Sequence, residues 1–296
     1  MTALSTYMGT SEATELIPTE LLSTFVQAYE YPVPVGLQIA WARPGRGNIP
    51  VRFPRWNQLN SGSGVPAGTK SETDVFTDVT LDFAESTITP GIVGFRLPIS
   101  DESEAGAIIG VQAGAVIQAI LALVDRIDSD VLSSSTSATN STGSVSDVFT
   151  LSKMRAACAA YKALEVPPSP MGVAIALHHN GAAALLESLG SSAATMLKNP
   201  ADSLAFGTQP GYLGSLFGVQ IYESANVPAE STGHSNPMTP IGFQQSGLGI
   251  VMNRVPEVIP TRGDDAENRK VTYLVCSAWY GTGVTNPNRL LEVLSE

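Results

Sequence analysis

Charge is what this sequence has least of. Of its 296 residues only 15% are charged, against roughly a quarter in an ordinary soluble domain, so much of the surface has to be Ser, Thr, Gly, Pro and Ala. Bases are scarcer still: 16 Lys and Arg stand against 27 Asp and Glu. The net charge of −11 argues against a chain that coats nucleic acid by releasing counterions, and leaves open only a weak or indirect relation to DNA. Only two cysteines occur, Cys158 and Cys276, far apart and without CxxC or Cys/His spacing. That excludes a disulfide framework and a zinc finger, and both read as small buried apolar residues. Met1 to Leu16 has no base and no apolar run, so no signal peptide is expected there and an intracellular origin is the default. One uncharged stretch, Ala105 to Val124, carries Gly106, Gly110 and Gly114 at the GxxxG spacing of packed membrane helices. Gln112, Gln118 and acidic flanks without Lys or Arg anchors (Asp101, Glu102 and Glu104; Asp125 and Asp128) favour a long buried helix instead.

Catalytic signatures are also lacking. There is no HExxH, no GxxxxGK[ST] and no GxSxG. The run around Gly62-Ser63-Gly64 and Gly68 has the wrong spacing for a phosphate loop and joins two strands instead of opening a helix. His178-His179 follow a buried strand and precede a helix, where βα loops often hold catalytic groups, but no third ligand or nucleophile elbow accompanies them. His234 stands in a Gly/Asn/Pro loop. Asp264-Asp265 with Glu267 sits among Arg262, Arg269 and Lys270, which reads as a solvated turn. No catalytic, cofactor or metal residue is expected.

What is present is a succession of elements in a chain of 31.0 kDa with 43% hydrophobic residues, enough for one elaborated domain or two small ones. Leu21, Leu22, Phe25, Val26 and Tyr29 predict a helix over Pro18 to Glu30, stopped by Tyr31-Pro32-Val33-Pro34. The period then becomes two. Ile49, Val51 and Phe53, and later Val75, Thr77, Val79, Leu81 and Phe83, predict two long strands around a polar tip, Asn57 to Thr69. From Ser100 to Leu132 the helical period returns, from an Asp101…Glu104 start resembling a capping box, for about 45 Å at 1.5 Å per residue. A Ser/Thr-rich loop is expected over Ser133 to Ser146, where the Asn140-Ser141-Thr142 sequon is a chance match. Further helices are expected over Thr150 to Glu165 and Asn180 to Gly190, the latter with Asn180 as N-cap. Strands are expected over Met171 to Leu177, within Asp202 to Ser224, and near Gly247 to Asn253, Val255 to Ile259 and Val271 to Trp279. The class is α+β.

Charge is segregated along the chain. Trp41 to Trp56 holds Arg43, Arg46, Arg52 and Arg55 and no acid; Met1 to Ala40 holds Glu12, Glu15, Glu20 and Glu30 and no base. Glu72 to Glu104 has eight carboxylates against Arg96. A basic ribbon bearing Trp41, Phe53 and Trp56 is suited to lie across another copy's acidic surface. The equal alternative is pairing within the hairpin, Arg52 and Arg55 against Asp74 or Asp78.

An arm, an extended hairpin, one long helix, an α/β region and a closing β region form an ordered set that resembles the major capsid proteins of tailed bacteriophages, the Hong Kong 97 fold. Its sharpest piece is the run Gly211-Tyr212-Leu213-Gly214-Ser215-Leu216-Phe217-Gly218-Val219-Gln220-Ile221-Tyr222-Glu223-Ser224-Ala225-Asn226-Val227-Pro228, similar to a G-x-L-x-G-x-P-V-x-x-S-x-x-x-P run in that group, with Gln220 where Pro is often found. The resemblance implies an N-terminal arm (1–31), an E-loop (32–98) lying over a neighbouring subunit and a spine helix (99–132). It further implies an axial (A) domain (133–253), and a peripheral (P) domain sheet with the C-terminus (254–296). It implies a structural, non-enzymatic virion protein without cofactors, assembled in the host cytoplasm into hexamers and pentamers of an icosahedral shell. That shell encloses double-stranded DNA without sequence-specific contacts. Arm and loop residues, Glu12, Glu15, Glu20 and Glu30 with Trp41, Arg43, Arg46, Arg52, Phe53, Arg55 and Trp56, would make the intersubunit contacts. With no room for a scaffolding segment before the arm, a separate scaffold protein is expected, with a portal and room for a decoration protein. Lys70, the only lysine in the loop, has no identifiable acceptor, so a non-covalent shell is expected; no membrane partner is expected. The same fold would serve an encapsulin-like nanocompartment, and a reading of a different class is a soluble α/β hydrolase or binding protein using His178, His179 and Asp264-Asp265.

Overall fold

The computed structural model describes residues 34–56, 83–101, 111–164, 172–190, 211–230, 233–241, 246–261 and 271–296. A one-turn helix, α1 (Val35–Ile39), leads into strand β1 (Trp41–Pro44). Strands β2 (Val51–Trp56) and β3 (Phe83–Ile88) make a two-stranded ribbon, followed by β4 (Gly91–Ser100) and the long helix α2 (Val111–Ser133). Then come β5 (Asn140–Gly143), α3 (Leu151–Ala163), β6 (Val173–Leu177) and α4 (His179–Leu189). Strands β7 (Tyr212–Leu216), β8 (Val219–Glu223), β9 (Ala229–Glu230), β10 (Gly233–Pro240), β11 (Leu248–Thr261), β12 (Val271–Val284) and β13 (Leu291–Ser295) complete the chain.

Two sheets organise these elements. The first has the order β1-β11-β12-β4. Its spine is β12, where alternate residues Leu274, Cys276, Ala278 and Tyr280 share one face, as a period of two requires. That face meets Ala119, Leu123, Ile127 and Val131, which recur every four residues and so form one stripe along α2. The 23 described residues of α2 span about 34 Å. Strand β11 slips register between Met252 and Arg254 and again between Arg254 and Glu257. Pro256 lies in that second interval and has no N–H to give the ladder, which is where a bulge is cheapest.

The second sheet runs β5-β13-β10-β6-β8-β7, with β9 added on β10. Strand β6 shows how it is covered. Ile175 and Leu177 face α3 and α4 with Phe149, Met154, Tyr161, Leu185 and Leu189, whereas Ala174 and Ala176 face Val35, Ile39, Leu132, Leu248 and Leu290. The small residues on that second face let α1 and the end of α2 approach, so α1 is wedged where the two sheets meet.

Several expectations change. The N-cap of α4 is His178, not Asn180: the His178 Nδ1 accepts from the Asn180 N–H at 3.3 Å. Part of the Ser/Thr-rich loop is β5, paired in parallel with β13; a polar edge strand has no hydrophobic alternation to announce it. The two strands expected over 247–253 and 255–259 are one strand, β11, because the bulges keep it in the sheet past Pro256. His234 stands on β10 and not in a loop. Gly114 has nothing within 4 Å of an added Cβ, so no close helix approach uses it. Among the described residues no helix is long and apolar enough to cross a membrane. The helix expected over Pro18 to Glu30, the tip Asn57 to Thr69, Lys70, the strand Val75 to Phe83 apart from Phe83, Glu102 to Gly110, Met171 and Asp264-Asp265 lie outside the described residues.

Candidate assembly surface

The ribbon is seated on the face of the first sheet opposite α2. Phe53, fully buried, and Ile88 pack with Val251, and Trp41 meets Phe53 edge-on at 4.8 Å between ring centroids. Three glycines make room for them. A Cβ on Gly249 would lie 3.2 Å from Ile88 Cδ1 and 3.5 Å from Phe53 Cε1, one on Gly283 3.2 Å from Ile88 Cγ1, and one on Gly281 2.5 Å from the Thr89 carbonyl oxygen. The glycines line a trough in which the ribbon's two apolar side chains lie. Phe53, expected to reach a neighbour, is instead the ribbon's anchor to the first sheet: burying it here removes far more apolar surface than a rim contact would, while Trp41 on β1 is half-buried.

The arginines divide. Arg43 reaches the Arg52 carbonyl oxygen and lies 5.6 Å from the Trp41 ring and 5.5 Å from the Phe53 ring. Arg52 pairs with Glu85 at 3.3 Å, because the register sets Arg52 opposite Thr87 and one diagonal step from Glu85, itself opposite Pro54; Asp74 and Asp78 lie outside the described residues. Arg46 is exposed. Arg55 stands opposite Ala84, and its Nε and Nη1 are buried with no hydrogen-bond partner among the described residues. Trp56 pairs with Phe83 at the ribbon's described end, and Glu12, Glu15, Glu20 and Glu30 lie outside the described residues.

Beyond the trough the same sheet face carries apolar side chains, two of them exposed. Trp279 sits two residues from Gly281 and opposite Ile92; Val275 sits opposite Ile259 on one side and Arg96 on the other. Ile92 is 70% exposed and Ile259 47%. The Trp279 Nε1 is buried with no hydrogen-bond partner, and Arg96 stacks 4.3 Å over the Tyr273 ring. An apolar strip flanked by Arg96 and Arg254 is the composition of an interface core with a basic rim.

A buried carboxylate fixes the ribbon's root. Asp128 on α2 is fully buried and accepts from the Gly36 N–H at 2.6 Å, from Ser224 Oγ at 3.3 Å and from Asn226 Nδ2 at 3.1 Å. Asn226 Nδ2 also donates to Asp125 Oδ1 at 2.8 Å. Burial pushes the Asp128 carboxyl up to about 6, although all three donors favour its charged form. Read from sequence, Asp128 was only an acidic flank. Its place four residues after Val124 and three before Val131, inside the apolar stripe, is the signal that marks it as buried. Ser224 and Asn226 belong to the run that carries the capsid resemblance, so part of that run closes the long helix α2 onto the second sheet.

All three histidines of the chain meet. His178 and His234 stack at 3.6 Å between centroids and 13° between planes, His179 lies 5.6 Å from His178, and His179 Nδ1 bonds Glu223. Parallel rings aim their lone pairs side by side and not at one point, and no cluster of three such ligands that could hold a metal occurs among the described residues. Cys158 and Cys276 are buried in separate cores, as the small buried apolar residues expected from sequence, and burial raises both thiols.

Compared with known proteins, the chain matches no protein-family model and no curated sequence. Solved structures are similar over nearly its whole length. The capsid of the cyanophage P-SCSP1u matches at a TM-score of 0.57 and 16% identity, covering 88% of each chain. The capsid of a native GTA particle matches at 0.63 and 13%, covering 89% of this chain and 91% of that one. A structure from Mycobacterium phage Cain matches at 0.60 and 13%, covering 97% and 98%. The fold is the α+β fold of these capsid structures.

Proposed function

We propose that this chain is a major capsid (head) protein, a structural subunit of a tailed-phage virion that self-assembles into an icosahedral shell around double-stranded DNA, and not an enzyme. The observation that carries the reading is the likeness to the cyanophage and GTA capsids over 88% or more of both chains, which leaves no large additional domain to house another activity. The apolar strip Ile92–Trp279–Val275–Ile259 and the exposed Arg46 and Arg52 are the surfaces through which copies of the chain meet. A low charge fraction fits a subunit that buries much of its surface against neighbours.

In this reading residues 1–31 are the N-terminal arm, 32–98 the E-loop with its root at α1 and the glycine trough, and 99–132 the spine-helix segment, in which Ile99 and Ser100, expected to open the helix, instead end β4. Residues 133–253 are the axial domain, built on the seven-stranded sheet to which β13 returns, and 254–296 complete the peripheral sheet. Hexamers and pentamers form the shell, with a separate scaffolding protein and a portal; the net charge of −11 limits adhesion of packaged DNA to the inner wall. The shell is non-covalent and is assembled in the host cytoplasm. Weak contacts repeated by symmetry add up to a stable whole. Electron microscopy of the purified chain, alone and with co-expressed neighbouring genes, tests this. Closed or aberrant shells, tubes or sheets of one chain are expected, and a homogeneous monomer or dimer under every condition would overturn it.

A further inference from the structure

Helix α4 is capped by an imidazole. The Asn180 N–H donates to His178 Nδ1 at 3.3 Å, so that nitrogen holds a lone pair and the proton of neutral His178 is on Nε2. The opposite face of the cap is the stacked ring of His234 from β10. Both rings are pinned by their backbones. The His178 N–H donates to Asn236 Oδ1 at 3.1 Å, and Asn236, fully buried, donates to the Val293 carbonyl and Ser295 Oγ, each at 2.9 Å. His234 is paired with Ser295 of β13 on one side and Ala229 of β9 on the other.

We propose that the stacked His178–His234 pair is a proton-operated latch that joins helix α4 to strand β10 at neutral pH and releases this corner in mild acid. Three features of the geometry exclude the proton while the latch is closed. A proton on His178 Nδ1 replaces the cap's acceptor with a donor facing the Asn180 N–H. A cation at a helix N-terminus opposes the helix dipole. A second cation cannot stack face to face at 3.6 Å from the first. The other groups facing the pair are His179 on α4, Glu223 on β8 and Ser295 on β13; Glu292 of β13 is engaged by Ser235 Oγ. Glu223 is the one acid that favours a charged His178, and its carboxylate is engaged by His179. The balance is consistent: His178 is held below the ordinary histidine value by burial, then by His234 and His179, and His234 is held below it by burial. The folded corner therefore binds protons less readily than the unfolded chain. Its stability is complete above the ordinary histidine value of 6.5 and is lost as pH falls below it.

The latch goes beyond the shell reading, because it belongs to a single chain and is measured on the full-length protein whether or not a shell forms. Amide hydrogen exchange, corrected for intrinsic rates, is followed over residues 178–190 and 233–240 at pH 7.5 and 5.0. The wild type is expected to lose protection there severalfold at pH 5.0, while the peptides of β12 keep theirs. His178→Asn, which caps without titrating, and His234→Phe, which stacks without titrating, are expected to hold protection equal at the two pH values. His179→Gln, which leaves the cap and the stack in place and removes only a smaller influence on His178, is expected still to lose protection at pH 5.0. Equal protection of the wild type at both pH values, or the same loss in His178→Asn and His234→Phe as in wild type, overturns the latch.

Discussion

The Gly36 backbone N–H and the Asp128 carboxylate, 92 positions apart in sequence, are joined by a 2.6 Å hydrogen bond inside the protein. It connects the root of the ribbon to the long helix through Oδ1, and Ser224 and Asn226 bring the second sheet to Oδ2 of the same carboxylate. Three parts of the chain therefore share one buried acceptor with no cation among its recorded partners. Such a group is expensive to charge and expensive to delete.

The pH dependence follows from that position. Because burial raises the Asp128 carboxyl to about 6 from an unfolded value of 3.8, the folded chain holds a proton here that the unfolded chain releases. The stability this adds is complete below pH 3.8 and is lost as pH rises through about 6, a change on the order of 3 kcal/mol. Asp128→Asn removes the titration and keeps the volume, at a constant cost from mismatched donors. The stability difference between wild type and variant, from urea unfolding between pH 4 and 7.5, should swing toward the variant as pH rises. The histidine latch contributes equally to both proteins and cancels. A difference that stays constant across this range would count against a raised Asp128.

Seating of the ribbon makes a second expectation. Phe53→Ala removes a fully buried ring and should cost about 3 kcal/mol, and Gly281→Val, whose Cβ would meet the Thr89 carbonyl oxygen at 2.5 Å, should free β3 from the sheet. Arg52→Ala breaks an ion pair whose side chains are 73% and 39% exposed, and should change stability by less than about 0.5 kcal/mol. Chemical unfolding read with limited proteolysis of the ribbon checks all three. Equal effects from Phe53 and Arg52 would refute the trough as the anchor.

What could be read from sequence, and what could not, divides along physical lines. The stripe Ala119, Leu123, Ile127 and Val131 and the alternation Leu274, Cys276, Ala278 are periodic apolar signals, and each lies in an element of the expected type, although Ser100, the expected helix start, ends β4 and β12 runs on to Val284. The alternation Val51, Phe53 in β2 was equally clear, but a period of two names a face without naming what it meets. The trough that receives Phe53 is made of glycines, which have no side chain to signal burial, so the ring was assigned to a neighbour. β5 was missed because Asn140-Ser141-Thr142-Gly143 pairs through its backbone alone. The histidine cluster joins a βα junction, a helix start and a strand, and no spacing along the chain predicts that meeting.

The turn between β7 and β8 is a two-residue loop in which Phe217 and Gly218 both have positive φ, 55° and 82°. Such a turn matches the twist of a hairpin, and glycine takes this conformation without strain. An added Cβ at Gly218 has open space, so the cost of Gly218→Ala is conformational alone and should be about 1 kcal/mol. Thermal unfolding checks it; an unchanged melting temperature would mean that the turn relaxes to another type. Gly91→Ala, equally open but without a positive φ, is the control and should cost less.

The last expectation concerns the apolar strip on the first sheet. Ile92 and Ile259 are 70% and 47% exposed, so Ile92→Lys and Ile259→Lys leave the chain's own core intact and should alter its stability by no more than about 0.5 kcal/mol each. At the centre of a contact between copies the same changes would bury an unpaired ammonium, a cost of several kcal/mol repeated at every equivalent contact of a closed particle. The double variant should therefore fold with wild-type circular dichroism and unfolding midpoint, yet remain a single chain or small oligomer by light scattering where the wild type gives particles. Ile92→Val with Ile259→Val, which keeps the apolar surface, should still assemble. Normal particles from the lysine double variant would remove this face from the assembly contacts and leave Arg46 and Arg52 on the ribbon as the surface to change next.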